Sequence, residues 1–138
     1  VHVELGGLAR QLQRAGQGLR IVANESDFSM VVLNLVQNAI HAMPEGGQLV
    51  VQGVRDGPNI ELTFTDTGVG IAQDDLMRIF WPFWSRRADG MPGTGLGLSI
   101  VQAIVKRLGG DITVTSTLGK GTVFRVTLPD VDHSTEHA

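Results

Sequence analysis

Three side chains between Ser26 and Met43 could act together on one ligand. Asn34, Asn38 and His41 are spaced i, i+4 and i+7, so a helix stacks them on a single face. Amide oxygens suit a divalent ion that already carries a nucleotide, because Mg²⁺ takes only one or two protein oxygens beside phosphates and water. A neutral amide also does not repel the phosphates. His41 could add a donor to a phosphate; a surface histidine on a polar face is the plainer alternative.

A second group is the run Gly93-Thr94-Gly95-Leu96-Gly97-Leu98. Glycines at alternating positions ahead of a helix let backbone N–H groups converge on an anion, and the helix N-terminus adds partial positive charge. The run lacks the Gly-x-Gly-x-x-Gly dinucleotide pattern, since position 98 is Leu, and it lacks the lysine of a P-loop. The alternative is a glycine hinge. Asp66, followed by Thr67-Gly68-Val69-Gly70, sets a carboxylate at a strand end with glycines that allow close backbone approach. In an apolar pocket such a carboxylate accepts the exocyclic amine of adenine; an ordinary Asp-Gly turn is the plain alternative. Arg86 and Arg87 precede the glycine run in a stretch without periodic pattern, where guanidinium groups can close over a triphosphate tail or simply stay solvated.

Those groups need elements to hold them. Phe28, Val31 or Val32, Leu35, Ala39 and Met43 form an apolar stripe at helical spacing, with N-cap oxygens at Asn24, Ser26 and Asp27 and a stop at Pro44 and Gly46-Gly47. Residues 48–54 and 59–65 alternate as strands around an Asp56-Gly57-Pro58 turn, and 111–116 and 122–128 do so around Leu118 to Gly121. Leu19 to Ala23 reads as a further strand. A helix is expected from about Leu8, a short one from Ile71 to Phe80, and one after Gly97 that Gly109-Gly110 ends. Hairpins at both ends with helices between them predict an α+β fold: a two-layer α/β sandwich whose mixed, mainly antiparallel sheet of about five strands is covered by about three helices on one face.

Bulk properties narrow the function classes. The 138 residues are 42% hydrophobic and 18% charged, enough to bury a core as one domain. A net charge of −3 gives no basic field for nucleic acid, and no apolar run reaches the ~20 residues of a membrane span. The absence of cysteine removes thiolate chemistry and fits a reducing, cytoplasmic setting. The start at Val1 sets the expectation of a piece from a longer protein, one that could itself be membrane-anchored.

In this order the residues resemble the ATP-binding catalytic domain of bacterial sensor histidine kinases, within the GHKL ATPase superfamily. The likeness runs from about Gly18 to Pro129. It rests on an N box (Asn34-Leu-Val-Gln-Asn38-Ala-Ile-His-Ala), a first glycine box (Asp66-Thr-Gly-Val-Gly70), an F box (Ile79-Phe-Trp-Pro-Phe83), the second glycine box from Gly93 to Leu98, and a closing Gly119-Lys-Gly-Thr-Val-Phe124 hairpin. The resemblance implies an ATP-binding domain over 18–129 with a lid at about 81–95; ahead of it residues 1–17 read as a lead-in, a short extended start and then the helix, and the polar residues 130–138 as a disordered tail.

It further implies that Asn38 ligates Mg²⁺, that Asn34 supports the nucleotide, and that Asp66 binds the adenine amine in a pocket shaped by Gly68, Gly70 and Ile71 and closed by Thr122. Phe83 would anchor the lid, Arg87 would look toward the γ-phosphate with Arg86 beside it, and Gly93 to Leu98 would wrap the phosphates, with His41 near them. Trp81 stands where the family often has an acidic residue; with Trp84 it either docks a partner helix or packs the lid. Related ATPases such as gyrase carry Glu at the Asn34 position to activate water, which Asn cannot do. The resemblance therefore implies phosphotransfer to a histidine on a separate dimerisation domain of the parent protein, then to a response-regulator receiver. Rival outcomes are an ATP-sensing module without transfer, a serine kinase of the anti-sigma type, and an outright ATPase.

Overall fold

The computed structural model describes residues 2–6, 25–84 and 97–129. Along the chain these form β1 (His2–Gly6), α1 (Glu25–His41), β2 (Gln48–Asp56), β3 (Asn59–Asp66), α2 (Gln73–Leu76), α3 (Gly97–Arg107), β4 (Asp111–Thr117) and β5 (Gly121–Pro129). The strands make one five-stranded sheet in the order β1-β2-β3-β5-β4, with β1 parallel to β2 and every other pair antiparallel. Each hairpin expected from the alternation is present, and the two are joined edge to edge by β3 and β5.

The register explains which face is buried. Val51, Phe64, Phe124 and Val114 lie opposite one another across four strands, as do Leu62, Val126 and Ile112. Successive side chains in a strand point to opposite faces, so these rows share one side. Onto it α1 brings Val31, Leu35 and Ala39, with Met43 just past its end, and α3 brings Val101, Ile104 and Val105, all in the same core. The other face carries Glu61, Thr63, Arg125 and Thr115, with Arg125 Nε 3.7 Å from Glu61 Oε1 and Arg125 Nη1 3.4 Å from Thr115 Oγ1. Among the described residues the helices therefore cover a single face.

Helices α1 and α3 run antiparallel. Arg107, in the last turn of α3, pairs with Asp27 in the first turn of α1, while Gly97 at the start of α3 abuts Asn34. Each charge also sits at the helix end whose dipole favours it. The Arg107 side chain is 63% exposed, so solvent screens the pair. Arg107→Ala is expected to cost less than about 1 kcal/mol, with the loss shrinking in high salt; thermal unfolding at two ionic strengths checks it.

One expectation is extended and one needs correction. The extended start is strand His2–Gly6, and it joins the sheet, which therefore reaches back ahead of residue 18; parallel pairing with β2 gives that strand's outer backbone groups their partners. The strand expected at Leu19 to Ala23 and the helix from about Leu8 lie outside the described residues, as does the tail. The helix expected over Ile71 to Phe80 is only the four residues of α2. Beyond it the chain tightens into i→i−3 bonds, Arg78 N to Asp75 O and Trp81 N to Arg78 O, both 2.8 Å, which turn Ile79 and Phe80 onto the core.

Candidate functional site

At one end of its buried face the sheet stops being apolar. Asp66 on β3 lies opposite Thr122 on β5, and Thr122 lies opposite Ser116 on β4. This row of one carboxylate and two hydroxyls ends the sheet face on which α1 and α3 pack. Asp66 is 6% exposed and Thr122 4%. The carboxylate accepts the Gly68 N–H at 2.9 Å and a second backbone N–H from Thr122. Burial pushes the Asp66 pKa above its ordinary value, and those two N–H donors oppose the rise.

The loop after Asp66 is stitched to α1 on one side and to the β4–β5 hairpin on the other. Val69 N–H donates to the Ala42 carbonyl at 2.9 Å, and Gly119 N–H donates to Val69 O at 2.8 Å. A Cβ on Gly68 would stand 2.5 Å from the Ala42 oxygen, and one on Gly70, whose φ is +77°, would stand 2.2 Å from the Thr117 oxygen. Both positions accept only glycine. Thr67 Oγ1 accepts from Gln48 N at 3.0 Å and lies 3.7 Å from Met43 Sδ, holding the end of α1 beside β2.

Asn34, Asn38 and His41 are all half-buried on α1, as the i, i+4, i+7 spacing requires. Asn34 Nδ2 donates to the Met30 carbonyl at 2.7 Å, which leaves its Oδ1 facing the start of α3. A Cβ on Gly97 would come within 3.0 Å of that oxygen. Gly97→Ala should thus leave unfolding temperature nearly unchanged, since alanine favours the helix by up to ~1 kcal/mol, while displacing the Asn34 amide. The expected signature is nucleotide affinity lowered a few-fold at constant stability, read by calorimetry beside thermal unfolding.

Ile71 and Leu98 pack as half-buried side chains against the core, so whatever they offer a ligand comes chiefly from their backbone. Ile71 N–H donates to Ser116 Oγ at 2.7 Å. The F box meets the core through its first two residues. Phe80 meets Phe124 edge to face at a centroid distance of 6.5 Å, and Ile79 is buried next to it. Phe83 is 77% exposed at φ +67°. Trp81 is 58% exposed, whereas Trp84 packs half-buried against the core. Arg86, Arg87, Gly93, Thr94, Gly95 and Leu96 lie outside the described residues.

Among the described residues no three of His, Cys, Asp and Glu converge as metal ligands. The donors on this face of α1 are amides, which fits a cation brought in on phosphates better than one held by the protein alone. Ser116 is the site residue that sequence reasoning missed. Its signal was a polar side chain continuing the Ile112, Val114 face, opposite Thr122 across a short hairpin.

Comparison with known proteins bears on the family and the fold. The family model described as Histidine kinase-, DNA gyrase B-, and HSP90-like ATPase matches residues 23–132. Sensor histidine kinase ZraS of Salmonella typhi is 45% identical over 111 residues, which is 80% of this chain and 23% of that protein. The sensor-like histidine kinase SenX3 of Mycolicibacterium smegmatis is 35% identical over 127 residues, 90% of this chain and 33% of that one. The chain thus spans a quarter to a third of the length of these curated relatives. Among solved structures, the mycobacterial sensor histidine kinase MprB superposes with a TM-score of 0.78 at 29% identity, covering 94% of this chain and 83% of that one. Full-length ShkA in complex with AMPPNP superposes with a TM-score of 0.72 at 28% identity, covering 94% of this chain and 25% of that one.

Proposed function

The chain belongs to the histidine kinase-, DNA gyrase B- and HSP90-like ATPase family and has the catalytic-domain fold of its sensor histidine kinases; from that premise we propose that it binds Mg·ATP and donates the γ-phosphate to a histidine on a separate domain of its parent protein. The observation that carries this reading is Asp66. A carboxylate 6% exposed, held by two backbone N–H groups at the polar end of the proposed nucleotide cleft, supports hydrogen bonding to an exocyclic amine.

In this reading Gly68 and Gly70 keep the pocket wall thin enough for a purine, Ile71 lines it and Thr122 closes it. Asn38 holds Mg²⁺ through its amide oxygen, and Asn34 supports the phosphates from the same helix face, with His41 one turn on. Bound Mg²⁺ supplies neutralisation of phosphate charge. The backbone from Gly93 to Leu98 wraps the phosphates, within a lid at about 81–95, and Arg86 and Arg87 bring guanidinium charge to the γ-phosphate. Asn34 has no basicity with which to activate water, so an imidazole from the neighbouring domain is the favoured acceptor. A response-regulator receiver then takes the phosphate to an aspartate. ShkA's AMPPNP complex supports the nucleotide assignment by similarity. In this reading the domain works in the cytoplasm without direct membrane contact; no helix among the described residues is long and apolar enough to cross a membrane.

The test is to mix this chain with the helical, histidine-bearing segment of its parent, Mg²⁺ and γ-labelled ATP. Acid-labile, base-stable label on that segment is the expected result. Acid-stable label would point to a serine acceptor, and steady hydrolysis without label to an ATPase.

A further inference from the structure

Ser116 Oγ stands at the meeting point of three hydrogen bonds. The Ile71 N–H reaches it at 2.7 Å, the Gly121 carbonyl lies 2.9 Å away and Thr122 Oγ1 2.8 Å away. A serine hydroxyl has one proton and two lone pairs. An amide N–H can only donate, so Ile71 occupies one lone pair. A carbonyl can only accept, so Gly121 takes the proton. The third partner must then be a donor, and Thr122 gives its own proton to the second lone pair. Thr122 Oγ1 is left with lone pairs alone. It is 4% exposed and stands opposite Asp66, whose carboxylate is also an acceptor.

We propose that Ser116 is a specificity-determining positioning residue: by engaging the Thr122 proton it makes this end of the cleft acceptor-only, so that the site takes a purine with a 6-amino group and rejects one with a 6-oxo group. The inference rests on the nucleotide reading given above and deepens it. Ser116 does not touch the base; it acts through the direction in which Thr122 points its proton. Remove it, and the Thr122 hydroxyl is free to rotate and donate to a 6-oxo oxygen.

Calorimetric titration of the 138-residue chain with Mg·ATP and Mg·ITP tests this. The wild type is expected to bind ATP about 10-fold or more tighter than ITP, and Ser116→Ala to reduce that preference about fivefold. Ser116→Thr, which keeps the hydroxyl, is expected to restore it. In a Thr122→Val background Ser116→Ala is expected to leave the preference where Thr122→Val sets it. Should the alanine variant lose the fold, Ser116→Cys serves the same comparison, because a thiol of similar size hydrogen-bonds only weakly. Equal weakening of both nucleotides, with their ratio unchanged, would overturn the inference and leave the nucleotide site standing. A wild type that binds neither nucleotide would overturn the nucleotide reading itself, and this inference with it.

Discussion

Asp66→Asn is expected to weaken ATP binding by roughly 5- to 150-fold while leaving the domain folded. The carboxylate accepts from every direction in its plane, and two of its hydrogen bonds are already spent on Gly68 and Thr122. An asparagine has one oxygen. Whichever way its amide turns, an NH₂ faces a donor, either a backbone N–H or the incoming amine. A buried polar group left badly paired costs ~1–3 kcal/mol, which is the stated range in affinity. Stability should move less, because two effects offset: the variant gains by shedding a desolvated charge and loses one backbone hydrogen bond, each about 1 kcal/mol.

The same residue predicts a pH dependence with a definite sign. Burial raises the folded-state pKa of Asp66 above its unfolded value. Between those two values the folded chain binds more protons than the unfolded chain, so this group's contribution to stability is present below the unfolded pKa and lost as pH rises through the folded one. Binding runs the other way, since only the ionised form accepts the amine without giving up its own acceptor. ATP affinity should therefore begin to fall on acidification at a pH where an ordinary aspartate is still ionised. In Asp66→Asn this component of the pH dependence should be absent. Calorimetry across pH, with unfolding scans on the same samples, checks both slopes.

Gly70→Ala is expected to be the most damaging single substitution in the site loop, at about 3 kcal/mol or more. The left-handed backbone at φ +77° costs an alanine roughly 1–2 kcal/mol. Its Cβ would also lie 2.2 Å from the Thr117 carbonyl oxygen, so the loop and the β4–β5 hairpin must part and the Gly119 to Val69 bond goes with them. For a chain of this size that corresponds to a fall in Tm of about 10 °C. Gly119 supplies the control. Its φ is +79°, but nothing lies within 4 Å of the added Cβ. Gly119→Ala should cost only the backbone part, about 1–2 kcal/mol, and the difference between the variants measures the close approach alone. A Gly70→Ala chain that melts with Gly119→Ala would show that the loop is free to move away from the hairpin.

Much of this protein is local and therefore legible in one dimension. The apolar repeat at Val31, Leu35, Ala39 and Met43 dictates which side of α1 is buried, and helical spacing then forces Asn34, Asn38 and His41 onto a neighbouring stripe whatever the helix packs against. Alternation in β3 and β5 likewise commits Phe64 and Phe124 to the core face, and the turn residues between strands make each hairpin a short-range decision. The glycines after Asp66 announce close approach but not to what.

The remainder depends on partners remote in sequence. Pairing β3 with β5 sets Asp66 against Thr122, and that register, not either strand alone, makes a polar row at the end of an apolar face. Ser116 enters only because β4 completes the row, and its three hydrogen bonds come from residues up to 45 positions away. The choice of Phe80 over Phe83 against Phe124, and the return of residues 2–6 to the sheet edge, have the same origin. Side-chain period and turn chemistry are properties of neighbouring residues and can be read along the chain. Which hydroxyl gives its proton to which oxygen is settled by contacts that exist only once the sheet has closed.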